Sequence, residues 1–154
     1  MSAALAELIL PGSIALEVTA DTKAAALEEL VGLLDAGRPL ADRALFTEAV
    51  LAREALSTTG LGEGIAIPHG KSDGIAAPAI AFARSSRGID WGSPDGTPAH
   101  LLFLIGVPEA AAGDEHLVIL AKLARTLMRD EFRQRLLDAA TVEDVLTILG
   151  EIAS

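Results

Sequence analysis

The sequence predicts an α/β fold in which helices cover a largely buried β-sheet. Strand-like and helical segments alternate along 154 residues, the usual length of one domain. Hydrophobic residues make up 51% of the chain and aromatic residues only 3%, so the core must be mainly aliphatic. Residues 100–107 are almost continuously apolar, as in a strand that is covered on both faces.

The N-terminal part of the chain favours one strand and two helices. Residues 14–18 are β-prone, and Asp21 can cap the helix that follows. A glycine and a proline end that helix near residue 38. A second helix begins at residues 41–42 and continues to Leu56, where a run of serine, threonine and glycine breaks the pattern.

Short strands and turns are expected in the middle of the chain. Three glycines within five positions lead into residues 65–67, a short buried strand that Pro68 stops. Residues 77–84 favour another strand, and residues 85–96 are rich in turn formers. The apolar run 100–107 is the strongest strand signal in the sequence.

Three helices are expected in the last third of the chain. Asp114 can cap a helix whose apolar positions between residues 117 and 128 form one stripe at helical spacing. Residues 131–140 and 142–152 form two shorter helices, and Thr141 caps the second.

Charge and composition exclude several classes of function. The net charge of −10 argues against nucleic-acid binding, which needs a basic surface. The absence of cysteine excludes a disulfide framework and a thiolate zinc site. No apolar run approaches the length of about 18 residues that a membrane span needs, and no basic segment at the start indicates a secretory signal. We therefore expect a single cytoplasmic domain over residues 1–154.

His69 is the strongest candidate for chemistry among the three histidines. It follows Pro68 at the end of a short apolar strand, and Gly70 after it permits a turn. The imidazole should project from the sheet edge where α/β folds bind ligands, and a neutral imidazole is a nucleophile near pH 7. The alternative is an exposed turn histidine without a role.

Two further residues have a pattern that suits an anion. His116 is predicted in the first turn of a helix, where free N–H groups and positive potential favour a phosphate. Arg53 lies near the end of the second predicted helix and can neutralise phosphoryl oxygens. For both His116 and Arg53, the alternative is a solvent-exposed side chain without a function. His100 opens an apolar strand and is expected to be structural.

Other chemistries have less support. The glycines at 60, 62 and 64 lead into a strand rather than opening a helix, which argues against a phosphate-binding P-loop. The histidines lack the spacing of a zinc site, and no Gly-x-Ser-x-Gly motif indicates a hydrolase. We expect no metal and no cofactor.

Three separated motifs stand out in the sequence. They are REALSTTGLGEGIAIPHG at 53–70, HLLFLIGVP at 100–108, and DEHL at 114–117 followed by LAKLA at 120–124. Together they resemble the fructose/mannitol family of phosphotransferase-system (PTS) enzyme IIA domains, EIIA type 2. The resemblance extends from about residue 14 to residue 149, and the segments after His69 are most like the fructose branch.

The resemblance implies a layered sandwich with a central mixed, mostly parallel β-sheet flanked by helices. It implies a cytoplasmic phosphoryl carrier of a bacterial phosphoenolpyruvate-dependent sugar phosphotransferase system. A histidine phosphocarrier protein would phosphorylate His69, which would pass the group to a cysteine of a IIB domain. The sugar, which is expected to be fructose, would then be phosphorylated as a membrane IIC domain imports it.

The family's second active-site histidine matches His116, and its active-site arginine matches Arg53. Thr58, Thr59 and Gly70 are expected at the rim of the site, where they bind phosphate or partner. No metal is needed because a phosphohistidine is already an activated P–N species.

Two other interpretations stay open. The same fold and histidine also occur in nitrogen-type regulatory IIA proteins, in which phosphorylation of the residue at position 69 would control partner binding. An unrelated small-ligand α/β domain would require the motif match to be coincidental. The chain lacks IIB and IIC parts, so it is expected to be either a free-standing IIA protein or one domain of a longer chain.

Overall fold

The computed structural model describes residues 5–110 and 115–152, in which helices lie on both faces of a six-stranded sheet. The strands are β1 (Ile9–Ala15), β2 (Gly60–Gly62), β3 (Ile65–Ala66), β4 (His69–Lys71), β5 (Ala79–Ile89) and β6 (Ala99–Val107). The helices are α1 (Lys23–Gly37), α2 (Arg43–Leu56), α3 (Glu115–Leu127), α4 (Asp130–Asp138) and α5 (Val142–Leu149), and a 3-10 turn over Leu5–Leu8 precedes β1.

The sheet is mixed, and most of its strand pairs are parallel, as predicted. The central pair β5 and β6 is antiparallel, and so is the pair β2 and β3. The other three pairings, β1 with β5, β3 with β6 and β4 with β6, are parallel. The short strands β3 and β4 therefore lie one after the other along the same side of β6, separated only by residues 67–68.

Alternate side chains of β6 enter two separate hydrophobic cores. Leu101, Phe103 and Ile105 pack with α3, α4 and α5 on one face, whereas Leu102 and Leu104 pack with α1 and α2 on the other. All five are buried, which confirms that this strand is covered on both sides. Within the described residues, no helix is long and apolar enough to cross a membrane.

Helix ends follow the expected capping chemistry with one correction. Asp42 accepts from the backbone N–H of Leu45 and caps α2, and Thr141 caps α5 in the same way. The predicted cap Asp21 of the first helix is wrong. The side chain of Thr22, one residue later, accepts from the N–H of Ala25. The predicted cap Asp114 lies outside the described residues.

Two strands extend beyond their predicted limits because irregular pairing accommodates turn-forming residues. β5 continues to Ile89 through residues predicted as turns, since its register with β6 shifts after Arg84 and Gly88 adopts a φ of 81°. β1 begins at Ile9 rather than at residue 14, and its register with β5 shifts between Ile9 and Ile14.

Arg84 connects β5 to the end of α4. Its Nη1 donates to the carbonyls of Leu136, Leu137 and Ala139 at 2.6–3.1 Å, and its Nε donates to Leu16 O at 2.9 Å. A cation at a helix C-terminus satisfies the carbonyls that lack a partner within the helix.

We expect Arg84→Met to lower the free energy of unfolding by about 2 kcal/mol, because partly buried carbonyls lose a charged donor. For a chain of this length, the melting temperature should fall by about 4–8 °C in thermal denaturation followed by circular dichroism. Arg87→Met, at an exposed position of the same strand, is the control. Equal melting temperatures for the two variants would contradict this role of Arg84.

Candidate functional site

Residues of α2 and of the strand that begins at His69 line a cavity of about 510 Å³. It brings the predicted residues Arg53 and His69 to one site, with Gly70 and Lys71 of β4 on the same wall. Leu56 at the end of α2 also lines it and is 81% exposed. The remaining lining is aliphatic and consists of Ala49, Ala52, Ile105 and Val107.

Strand β4 and its pairing with β6 place His69 at the cavity. The sequence predicts His69 at the end of a strand, but it is the first residue of β4 and pairs with Ile105. Pro68, which cannot donate to a ladder, instead offers its carbonyl to Ile105 N at 3.0 Å. The break between β3 and β4 therefore falls immediately before the half-buried imidazole.

The imidazole of His69 is oriented by the backbone. Its Nδ1 lies 3.1 Å from the carbonyl oxygen of Ile67. Because a carbonyl can only accept, this contact assigns the proton to Nδ1 and leaves the lone pair of the neutral ring on Nε2. Ile67 is held in turn, since its N–H donates to Thr59 O at 3.0 Å.

Gly70 is required for close packing rather than for the turn that the sequence predicts. It lies within β4 and is not among the glycines with positive φ. A Cβ at this position would be 2.8 Å from Val50 Cγ2 and 3.2 Å from Val50 N. Glycine thus lets α2 approach the strand that carries His69.

Arg53 lies in the last turn of α2, as predicted. Its Nη1 donates to the carbonyl of Ser57 at 2.9 Å and lies 3.4 Å from the Ser57 hydroxyl. These contacts hold one side of the guanidinium while the side chain lines the cavity. A planar fork of donors suits the oxygens of a phosphoryl group.

The hydroxyls of Thr58 and Thr59 donate to protein acceptors. Thr58 Oγ1 donates to the carbonyl of Trp91 at 2.5 Å, and Thr59 Oγ1 donates to Glu54 at 2.6 Å. Thr59 Oγ1 also accepts from Trp91 Nε1 at 3.0 Å. Phosphate binding by these two hydroxyls stays a prediction, and it would require them to exchange these bonds.

Sequence reasoning missed the acidic and basic residues beneath this site. The carboxylate of Glu54 pairs with Lys23 Nζ at 2.7 Å and accepts from the N–H of Thr59 at 2.8 Å. Burial raises the pKa of Glu54, but hydrogen bonds from Lys23 and Thr59 outweigh it, so the net pKa is lowered. Lys23 also lies 5.5 Å from the centre of the Trp91 ring.

The predicted site residue His116 is described in its backbone only. The residue is the second of α3, as the first-turn prediction requires. Its side chain lies outside what the structure describes. His100 has the structural role expected of it, with Nδ1 2.8 Å from Ser85 O. Across the described side chains, no group of three or more potential ligands is arranged to hold a metal ion.

The sequence between residues 7 and 152 matches the family model described as "Phosphoenolpyruvate-dependent sugar phosphotransferase system, EIIA 2". The chain belongs to this family. As an EIIA component it is a transferase of phosphoryl groups.

Relatives of this EIIA domain include proteins named for fructose. It is 47% identical over 140 residues to the "PTS system fructose-specific EIIA component" of Haloferax volcanii, with 90% of each chain covered. It is 42% identical over 147 residues to the "PTS system fructose-specific EIIABC component" of Bacillus subtilis. There the match covers 96% of this chain but only 23% of the relative.

Solved structures confirm the fold and include a regulatory relative. The nitrogen regulatory protein IIA-Ntr of Neisseria meningitidis has a TM-score of 0.83 and 32% identity, covering 96% of this chain and 99% of that one. Enzyme IIAMTL of Escherichia coli, in complex with phosphorylated enzyme IIBMTL, has a TM-score of 0.74 and 27% identity. That match covers 90% of this chain and 94% of the other. EIIA domains of this fold thus pair with IIB domains.

We expect Gly70→Ala to destabilise the EIIA domain by about 1–3 kcal/mol, the usual cost of overpacking. The added Cβ meets both a side-chain and a backbone atom of Val50, so α2 must move. Urea unfolding measures the effect. Gly12→Ala is the control, since its Cβ meets only atoms 3.5 Å or more away. Equal stabilities of the two variants would show that α2 does not need this glycine.

Proposed function

We propose that this EIIA domain carries a phosphoryl group on Nε2 of His69. The group would come from a histidine phosphocarrier protein and pass to a cysteine of a IIB domain, coupled to uptake of fructose. The observation that carries the proposal is the contact of His69 Nδ1 with Ile67 O, in a cavity that Arg53 also lines. It supports Nε2 as the nucleophile beside a cation.

The transfer requires few groups from the protein. The lone pair of Nε2 attacks phosphorus as the P–N bond of the donor phosphohistidine breaks. The new P–N bond draws electron density from the ring, and the carbonyl of Ile67 stabilises the Nδ1–H through this change. Arg53 neutralises the charge on oxygens of the transferring group. The remaining rate enhancement comes from holding the two reacting groups in line. In the second transfer, to the IIB domain, Nε2 of His69 is the leaving group and the thiolate of the IIB cysteine is the nucleophile.

The aliphatic lining of the cavity supports a carrier role. Walls of alanine, leucine, isoleucine and valine exclude water from the P–N bond when a partner covers them. The exposed Leu56 offers apolar area to that partner. Encounters of carrier proteins are brief, so a small interface of less than about 1,200 Å² suffices.

Fructose transport is favoured over a regulatory role. The relative with 47% identity is named as a fructose-specific EIIA component. The likeness to IIA-Ntr supports the alternative, in which phosphorylation of His69 controls the binding of a partner. Transfer from His69 to a IIB cysteine separates the two functions. We also propose that residues 1–154 act as one cytoplasmic domain, with Thr58, Thr59 and Gly70 at the rim of the site.

His69→Ala should abolish phosphorylation and leave the domain folded. The assay combines phosphoenolpyruvate, enzyme I and the histidine phosphocarrier protein, and measures intact mass before and after acid treatment. The wild-type domain should gain one acid-labile phosphate. Because His69 is half-buried at a strand start, its truncation should change stability little. Full phosphate uptake by the variant would refute the assignment.

His116→Ala should still accept phosphate but pass it on slowly. This proposal rests on the family motif and on the position of His116 in the first turn of α3. We expect the rate of transfer to a IIB domain to fall by about 10²-fold, as when an enzyme loses one donor to the transition state. Rapid-quench kinetics with pre-phosphorylated protein measure this rate. A rate equal to that of the wild type would remove His116 from the mechanism.

A further inference from the structure

Glu54 lies beneath the site, and its carboxylate is linked through Thr59 to both Arg53 and His69. We infer that Glu54 is a positioning residue: by holding Thr59, it holds the guanidinium of Arg53 and the imidazole of His69 in the geometry that phosphoryl transfer needs. This inference rests on the proposed carrier function. Glu54 itself would touch no phosphoryl group.

The first branch leads from Glu54 to Arg53. Glu54 lies in the last turn of α2 and accepts from both the N–H and the hydroxyl of Thr59, at 2.8 and 2.6 Å. These bonds close a loop over residues 54–59, where the chain leaves α2. Ser57 lies inside that closed segment, and its carbonyl accepts from Arg53 Nη1 at 2.9 Å. A displaced Thr59 would therefore move the acceptor that holds the guanidinium.

The second branch leads from Glu54 to His69. The carbonyl of Thr59 accepts from the N–H of Ile67 at 3.0 Å. The carbonyl of the same Ile67 lies 3.1 Å from His69 Nδ1. Hydrogen bonds thus connect Thr59 to Ile67 and Ile67 to His69. The second of these bonds selects the ring tautomer.

Burial and charge make this network stiff. The side chain of Glu54 is only 6% exposed and pairs with Lys23 Nζ at 2.7 Å. Lys23 also donates to the carbonyl of Trp91 at 3.2 Å, and Trp91 Nε1 donates to Thr59 Oγ1 at 3.0 Å. Loss of the Glu54 carboxylate would remove the acceptor of the Thr59 N–H, the Thr59 hydroxyl and Lys23 Nζ together, so the network favours a single arrangement.

Stability alone is a weak explanation for such a pair. A buried ion pair gains little over well-packed hydrophobic residues, because desolvation offsets the attraction between the charges. Hydrogen bonds around Glu54 can fix the direction of backbone carbonyls, which apolar packing cannot do. These carbonyls contact the side chains of Arg53 and His69.

The test is the rate at which His69 takes up phosphate in Glu54→Gln. The glutamine keeps the shape, but its amide group cannot accept from Lys23 and both donors of Thr59 together. At saturating phosphocarrier, we expect the rate to fall about tenfold, because small misplacements of reacting groups slow a transfer step. The half-saturation concentration should change less than about twofold, because no residue that lines the cavity is substituted. Glu48→Gln, exposed on the same helix, should behave as the wild type.

A second readout separates positioning from simple destabilisation. ¹⁵N NMR of the His69 ring should show the Nδ1–H tautomer in the wild type and a mixture of tautomers in Glu54→Gln. Thr59→Val removes the hydroxyl at similar volume and should shift both the rate and the tautomer in the same direction. It serves as the test if Glu54→Gln does not fold.

The outcomes distinguish the inference from the function on which it rests. A folded Glu54→Gln variant, or Thr59→Val in its place, with wild-type rate and unchanged tautomer overturns the inference. If the wild type and Glu48→Gln take up no phosphate, the carrier function fails instead. The tautomer measurement still decides in that case whether Glu54 orients His69.

Discussion

The hydrogen bond between His69 Nδ1 and the carbonyl of Ile67 places the ring proton on Nδ1 and the lone pair on Nε2. The bond exists because the chain is interrupted between two short strands that pair with β6. The carbonyl of Pro68 accepts from the N–H of Ile105, and the carbonyl of Ile67 accepts from the imidazole. Because of this interruption, a backbone carbonyl at the sheet edge is the acceptor that orients the imidazole of His69.

Packing on both sides of the sheet keeps this edge in place. The two hydrophobic cores meet at β6, whose side chains are buried on both faces. On the active side, α2 approaches β4 closely enough that only glycine fits at position 70. That approach places Arg53 on the cavity beside His69. A tightly packed interior resists small shifts, so the spacing of Arg53 and His69 depends on the packing of the whole layer.

Much of this arrangement was predictable from local sequence. The apolar run that forms β6, the cap Thr141 and the motif that brings Arg53 and His69 together each depend on residues close in the chain. The continuation of β5 to Ile89 and the reason for Gly70 depend on pairing and packing between distant segments. The ion pair of Lys23 with Glu54 joins distant segments, and no local pattern indicates it.

The position of the phosphoryl group on the ring tests the account most directly. The protein would be phosphorylated through the phosphocarrier, and long-range ¹H–¹⁵N and ³¹P NMR would identify the substituted nitrogen of His69. We expect phosphate on Nε2, with Nδ1 still protonated and bonded to the carbonyl of Ile67. Phosphate on Nδ1 would break that bond and contradict the mechanism derived from it.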